Sequence, residues 1–121
     1  MYDEGDEPSG VIVLRLGPMV RMGETVREFE SSLERIANEE TGSLVLDLSD
    51  LEYMDSTTLG VLVGALHRMK SQNRELVLVH PRERIASLLR VANLDSLFQI
   101  HETVEEALAS LRRAEEDTGA N

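Results

Sequence analysis

The 121 residues carry 23 acidic and 12 basic side chains, a formal charge of −11, with three histidines and no cysteine. The length fits one domain with one core, and the lack of cysteine excludes disulfides, zinc–thiolate sites and cysteine nucleophiles. Negative charge argues against general binding to nucleic acid or to anionic membrane, and no apolar run reaches the roughly 18 residues of a membrane span.

Met1 to Gly10 is acidic and interrupted by Gly5, Pro8 and Gly10, so it reads as a flexible tail without the basic and apolar regions of a signal peptide; a cytoplasmic location is expected. Val11 to Leu16 (VIVLRL) reads as a strand, too apolar for an exposed edge. The following GPMVRMGE segment is a loop whose Met19 and Met22, if exposed, suit an adaptable binding surface. Glu24 to Asn38 reads as a helix with Val26, Phe29, Leu33 and Ile36 inward, ending near Gly42. Leu44 to Leu48 alternates as a strand and is stopped by Ser49 and Asp50. From Leu59 the period changes: Leu59, Leu62, Val63, Leu66 and Met69 form one stripe of a helix. Arg74 to Val79 is the next strand, ended by Pro81, and Arg82 to Ala92 is a helix burying Ile85, Leu88 and Leu89. Phe98 to His101 makes a short last strand. Thr103 to Ala114 is a closing helix with Thr103 and Glu106 spaced as a capping box, and residues 115–121 should fray.

Strands alternating with helices predict a single α/β domain over residues 11–114, with a central mostly parallel or mixed sheet of four to five strands, right-handed crossovers and about four helices. In such sheets the loops at the carboxyl ends of the strands are the working edge, and the loop Asp50 to Ser56 lies there.

That loop carries the most suggestive chemistry. Asp55 or Ser56 is the natural N-cap of the helix, since a short oxygen-bearing side chain accepts from the free N–H groups of a first turn. Capping is one reading; the other is a phosphoacceptor, because a phosphoserine here places about −1.5 to −2 charges at the positive end of the helix dipole. Thr57 is a secondary acceptor on the same grounds. Of Tyr53 and Met54, one is expected as a core plug and the other as a contact residue. Charge is uneven as well: Glu24 to Glu40 holds six acids against Arg27 and Arg35, while His67 to Arg90 holds six basic residues against Glu75 and Glu83.

Enzyme readings find little support. Ser56 lies in Met-Asp-Ser-Thr-Thr without the flanking glycines of a nucleophile elbow, and His67 sits about three turns away on the same helix. No phosphate-binding glycine loop occurs, and the acidic residues Asp47, Asp50, Glu52 and Asp55 read as solvated rather than metal-binding, so no cofactor is expected.

Residues Leu44 to Gly64, and more loosely Val11 to Leu111, resemble a STAS domain of the anti-sigma-factor antagonist type. The matching residues are the strand Leu44 to Leu48, then Leu51, Met54, Asp55, Ser56, Leu59, Gly60 and Gly64; Pro81 to Asn93 resembles the family's next helix, with Leu94 to Phe98 leading into the last strand. Such proteins typically carry Asp-Ser-(Ser/Thr/Ala)-Gly-Leu-Gly and are phosphorylated on the serine after the aspartate. The resemblance implies Ser56 as that serine, and Asp55, Ser56, Thr57, Thr58, Leu59 and Gly60, with Met19 and Met22 nearby, as the partner-binding surface. It implies partner switching with an anti-sigma factor that is also a serine kinase, reversed by a phosphatase. The alternative is a non-switching STAS adaptor of a lipid-transport ATPase or a signalling scaffold. Two departures stand out: Thr58 replaces the usual glycine, and Gly17-Pro18-Met19-Val20 stands where the family generally has a Gly-Glu-Leu-Asp-like motif. The family's extra N-terminal strand is not legible in Met1 to Gly10.

Overall fold

The computed structural model describes residues 2–6, 10–20 and 24–119. Strands β1 (Tyr2–Asp6), β2 (Ile12–Leu16), β4 (Leu44–Asp47), β6 (Leu76–Val79) and β7 (Gln99–His101) form one sheet in the order β1-β2-β4-β6-β7. The last four run parallel, and β1 lies antiparallel along β2. Helices α1 (Glu24–Glu39), α2 (Ser56–Ser71), α3 (Glu83–Val91) and α4 (Val104–Gly119) make the connections and close the chain. A second, two-stranded parallel sheet pairs β3 (Met19–Val20) with β5 (Tyr53–Met54).

Two expectations are corrected here. Tyr2–Asp6 is a strand and not a tail: it pairs with β2 from Tyr2↔Leu16 to Asp6↔Ile12. The physical reason is that β2 is apolar throughout its buried positions and needs a partner on each side, so its edge recruits even an acidic, glycine-containing segment. At the other end, α4 continues to Gly119, past the expected fraying point at Ala114. The short β3–β5 pairing has no signal in the hydropathy pattern, because two residues are too few to show a period.

Alternation along the central strands sorts the core into two layers. Leu44, Leu46 and Leu48, with Leu76 and Leu78, pack against Val26, Phe29, Leu33 and Ile36 of α1, Leu62, Leu66 and Met69 of α2, and Ile85 and Leu89 of α3. On the opposite face Val45, Val77 and Val79 meet Ala107 and Leu111 of α4. Three helices therefore cover the leucine face and one covers the valine face, and the period of two decides which side chain goes where.

One buried cation ties the helical layer to the sheet. Arg74 is 7% exposed. Its guanidinium donates to the carbonyls of Ile36 (3.2 Å), Ala37 (3.4 Å) and Gly42 (2.9 Å), and to Gln72 Oε1 (2.6 Å). The Ile36 carbonyl, which also accepts from the Glu40 N–H, and the Ala37 carbonyl thus gain a further donor and a positive charge where the helix dipole is negative. Burial weighs against the charged guanidinium, and the carboxylate of Glu40 counters part of that effect. Next to it, Gly42 crosses Gly10 so closely that a Cβ would stand 1.8 Å from the Gly10 carbonyl oxygen, so no other residue fits without backbone movement. Asn73 (φ 58°) and Asn93 (φ 60°) terminate α2 and α3 in the left-handed conformation that asparagine tolerates.

Arg74→Ala removes the donor to the Gly42 carbonyl and the second donors to the end of α1, and should lower unfolding free energy by about 1 to 3 kcal/mol, read as a lower urea midpoint at unchanged slope. Arg74→Lys should recover less than half of the loss, since one ammonium cannot reproduce the planar fork.

Candidate functional site

The site grows out of the way β4 stops. Asp47, its last residue, is 5% exposed. Its Oδ1 accepts from the Ser49 N–H (3.0 Å) and hydroxyl (2.7 Å), and its Oδ2 accepts from Arg15 Nε at 3.1 Å. Burial pushes this carboxyl up, but the Ser49 and Arg15 donors outweigh burial and hold it below its ordinary value of 3.8. The carboxylate turns the chain off the sheet. Leu51 and Met54 then plug the core beneath the loop, and Tyr53 faces outward at 37% exposure, which answers the open choice between Tyr53 and Met54.

Neighbouring segments clamp the loop. The Glu52 and Tyr53 N–H groups both donate to the Pro18 carbonyl (2.7 and 3.2 Å), continuing into the β3–β5 pairs Met19↔Tyr53 and Val20↔Met54. Gly17 lies so near Asp50 that a Cβ would approach its Cβ and carbonyl oxygen to 2.8 Å. Arg82, at the start of α3, donates through Nε to the Ser49 carbonyl (2.8 Å). The Gly17–Val20 segment, which lacks the family's carboxylate, is thereby fastened by its backbone to the loop that leads to Ser56.

At the loop's end Asp55 is extended (φ −105°, ψ 179°) and serves as the N-cap of α2. One carboxylate oxygen accepts from both the N–H (3.0 Å) and the hydroxyl (2.9 Å) of Thr58. Ser56 and Thr57, the first two helical residues, are exposed, and Gly60 is exposed one turn further on. Leu59 is half-buried against the core. Thr58 departs from the expected partner-binding surface: it is 0% exposed, so it holds Asp55 from beneath instead of touching a partner. The signal for that role is its position three residues after the cap, where a side chain and N–H both reach back. Met19 lies beside the loop in β3, and Met22 falls outside the described residues. The arrangement offers a solvent-facing hydroxyl on a rigid helix start, where the dipole favours added negative charge.

The profile of the STAS domain matches residues 6–107, and the chain belongs to that family. It is 35% identical over 80 residues, 66% of its own length and 71% of the relative's, to a Thermotoga maritima protein under the provisional name of anti-sigma factor antagonist. It is also 32% identical over 81 residues to the anti-sigma-B factor antagonist of Staphylococcus aureus, covering 67% of this chain and 75% of that one. A crystal structure of a T. maritima protein with the same provisional name superposes with a TM-score of 0.84 at 28% identity, over 92% of this chain and 94% of the other. No helix among the described residues is long and apolar enough to cross a membrane.

Asp55→Ala should lower stability by about 0.5 to 2 kcal/mol, the ordinary worth of an N-cap, measurable by chemical denaturation; Asp55→Asn should retain most of it. Because the folded pKa of Asp47 is depressed, its contribution is complete above pH 3.8 and disappears as pH falls below that value through the folded one. Acid unfolding followed by circular dichroism should therefore have a shallower limb in Asp47→Asn, which starts from lower stability at neutral pH.

Proposed function

We propose that this chain is an anti-sigma-factor antagonist that works by partner switching, with Ser56 as the phosphoacceptor. The observation that carries the reading is the exposed Ser56 hydroxyl at the first position of α2, behind a cap that Asp55 and buried Thr58 hold in place. Unmodified, the surface of Asp55, Ser56, Thr57, Leu59 and Gly60, with Met19 and Met22 beside it, docks onto an anti-sigma factor with serine kinase activity and frees the sigma factor. Phosphate on Ser56 adds about −1.5 to −2 charges at a position where the helix tolerates them. The helix need not melt, so the charge acts on the docked partner. A phosphoserine phosphatase restores the binding form, and both events take place in the cytoplasm.

The relatives named as antagonists support this reading, as does the position of the serine at the carboxyl edge of the sheet. One observation favours a second reading. With glycine, proline, methionine and valine at positions 17–20, no carboxylate from that segment stands beside Ser56 to help engage a kinase, and a non-switching adaptor in a transporter ATPase or scaffold needs none.

The test compares wild type, Ser56→Ala and Ser56→Asp as baits in lysate of the source cell, with affinities then measured on the purified anti-sigma factor recovered. Wild type and Ser56→Ala should bind alike. Ser56→Asp, Ser56→Glu and enzymatically phosphorylated protein should bind about thirty- to a thousandfold more weakly, the loss expected from a mismatched charge worth about 2 to 4 kcal/mol. Equal binding by the phosphorylated and unmodified proteins would sink the switch, and recovery of a transporter ATPase on every bait would establish the adaptor.

A further inference from the structure

Helices α1 and α2 leave an open groove of about 420 Å³ between them. Its floor is apolar, built from Leu33, Leu44, Val61 and Met69. Along one wall stand Glu30 and Glu34 of α1, both exposed and neither with an ion-pair partner among the described residues. The other wall is Gly60 and Gly64 of α2, with Thr57 at the upper end and Arg68 at the lower. Arg68 donates a hydrogen bond to the neutral Asn38 side chain of α1 and keeps its positive charge at the lower end, so the groove carries two negative charges along one wall against one positive charge at that end.

The glycines are informative because folding does not ask for them. A Cβ at Gly60 or Gly64 would meet nothing within 4 Å, yet each glycine costs an interior helix position about 1 kcal/mol relative to alanine. Their effect is to lower that wall of the groove so that something from outside can approach the backbone of α2. Both walls repeat at four residues, Glu30 with Glu34 and Gly60 with Gly64, so the groove runs along the helices with a spacing of one turn. That spacing fits another helix better than a compact small molecule.

The geometry points to the α1–α2 groove as the seat of an amphipathic helix of the protein partner, with an apolar stripe on Leu33, Val61 and Met69 and lysine or arginine side chains reaching Glu30 and Glu34. This rests on the reading that the chain docks a protein at the start of α2, and extends the contact surface one helix further. Thr57, at the groove's upper end, directly follows Ser56, so a phosphate on Ser56 would stand at the mouth of the groove and not along its length. Charge complementarity argues for a basic segment: an acidic one would bring like charges together on a chain already at −11.

The groove is tested directly on the full chain, labelled with nitrogen-15 and titrated with a synthetic leucine–lysine amphipathic helical peptide about four turns long. A scrambled peptide of identical composition measures plain attraction to a negative protein. The amphipathic peptide should bind about tenfold tighter or more, with shifts centred on the Gly60, Gly64 and Ala65 amides. The double variant Glu30→Lys/Glu34→Lys and the groove-filling Gly64→Leu should each lose about tenfold, with spectra that confirm folding. Should Gly64→Leu not fold, the α1 double variant still decides, since its substitutions are on exposed positions. Equal binding of the scrambled peptide, shifts centred elsewhere, or undiminished binding by the folded variants would overturn the proposal. Ser56 is untouched in this titration, so loss of groove binding with an intact Ser56 switch refutes the groove alone. Groove binding in a protein indifferent to Ser56→Asp refutes the switch alone.

Discussion

The guanidinium of Arg74 sits where three parts of the chain converge: the last turn of α1, the Gly42 crossing before β4 and the approach to β6. A neutral side chain there could fill the space but could not supply several donors in one plane. Because the fork is rigid, it fixes how far α1 stands from the sheet and at what rotation. The Gln72 side chain, which also donates to Ala37, and the Arg68–Asn38 contact carry the same registration along α2. These contacts set the spacing of α1 and α2 at the Arg68 end of the groove. Arg74 lies at the opposite end of the parallel strands from the Asp50 to Ser56 loop, so the part that sets the geometry is separated from the candidate site.

At the other end the difficulty is local. A strand buried on both faces must be stopped and converted into a helix with its hydroxyls outward, within the eight residues 48–55. Two aspartates manage this by the same means. Asp47 accepts from Ser49, two residues on, to end the strand, and Asp55 accepts from Thr58, three residues on, to begin the helix. Between them the loop has buried plugs at Leu51 and Met54 and is held by the Pro18 carbonyl. A loop held this way has its conformational entropy already spent, so any partner meeting it would find one fixed shape.

Much of this was legible in the residues, and the misses have physical causes. β4 and β6 read as strands because each is a short, branched apolar run bounded by turn formers; with both faces buried the run has no polar–apolar period, so its division into a leucine layer and a valine layer depends on where the helices pack. The helix stripe of α1 is read correctly from its period, and that of α2 at Leu59, Leu62, Leu66 and Met69, whereas Val61 and not Val63 packs against the core. Thr58 reads as surface because a threonine in a polar Ser-Thr-Thr helix start carries no burial signal of its own; burial comes from the turn of the helix relative to the loop. β1 was missed since its pairing depends on the hunger of β2 for a neighbour, a nonlocal demand that the acidic Tyr2–Asp6 segment does not advertise. The groove was invisible for a related reason: Glu30 and Glu34 look like any solvated helix face until α2 brings two glycines opposite them.

The paired N-terminal strand has a consequence beyond tidying the fold. Without β1, the edge of the sheet would be β2, an apolar ribbon whose open hydrogen-bonding groups would invite strands of other molecules. With it, the border becomes a segment holding three acids in five residues, Asp3, Glu4 and Asp6, and the opposite border, β7, is only three residues long. Two such borders repel or offer little purchase to one another. Sheets of neighbouring molecules are thereby hindered from joining edge to edge as the protein accumulates.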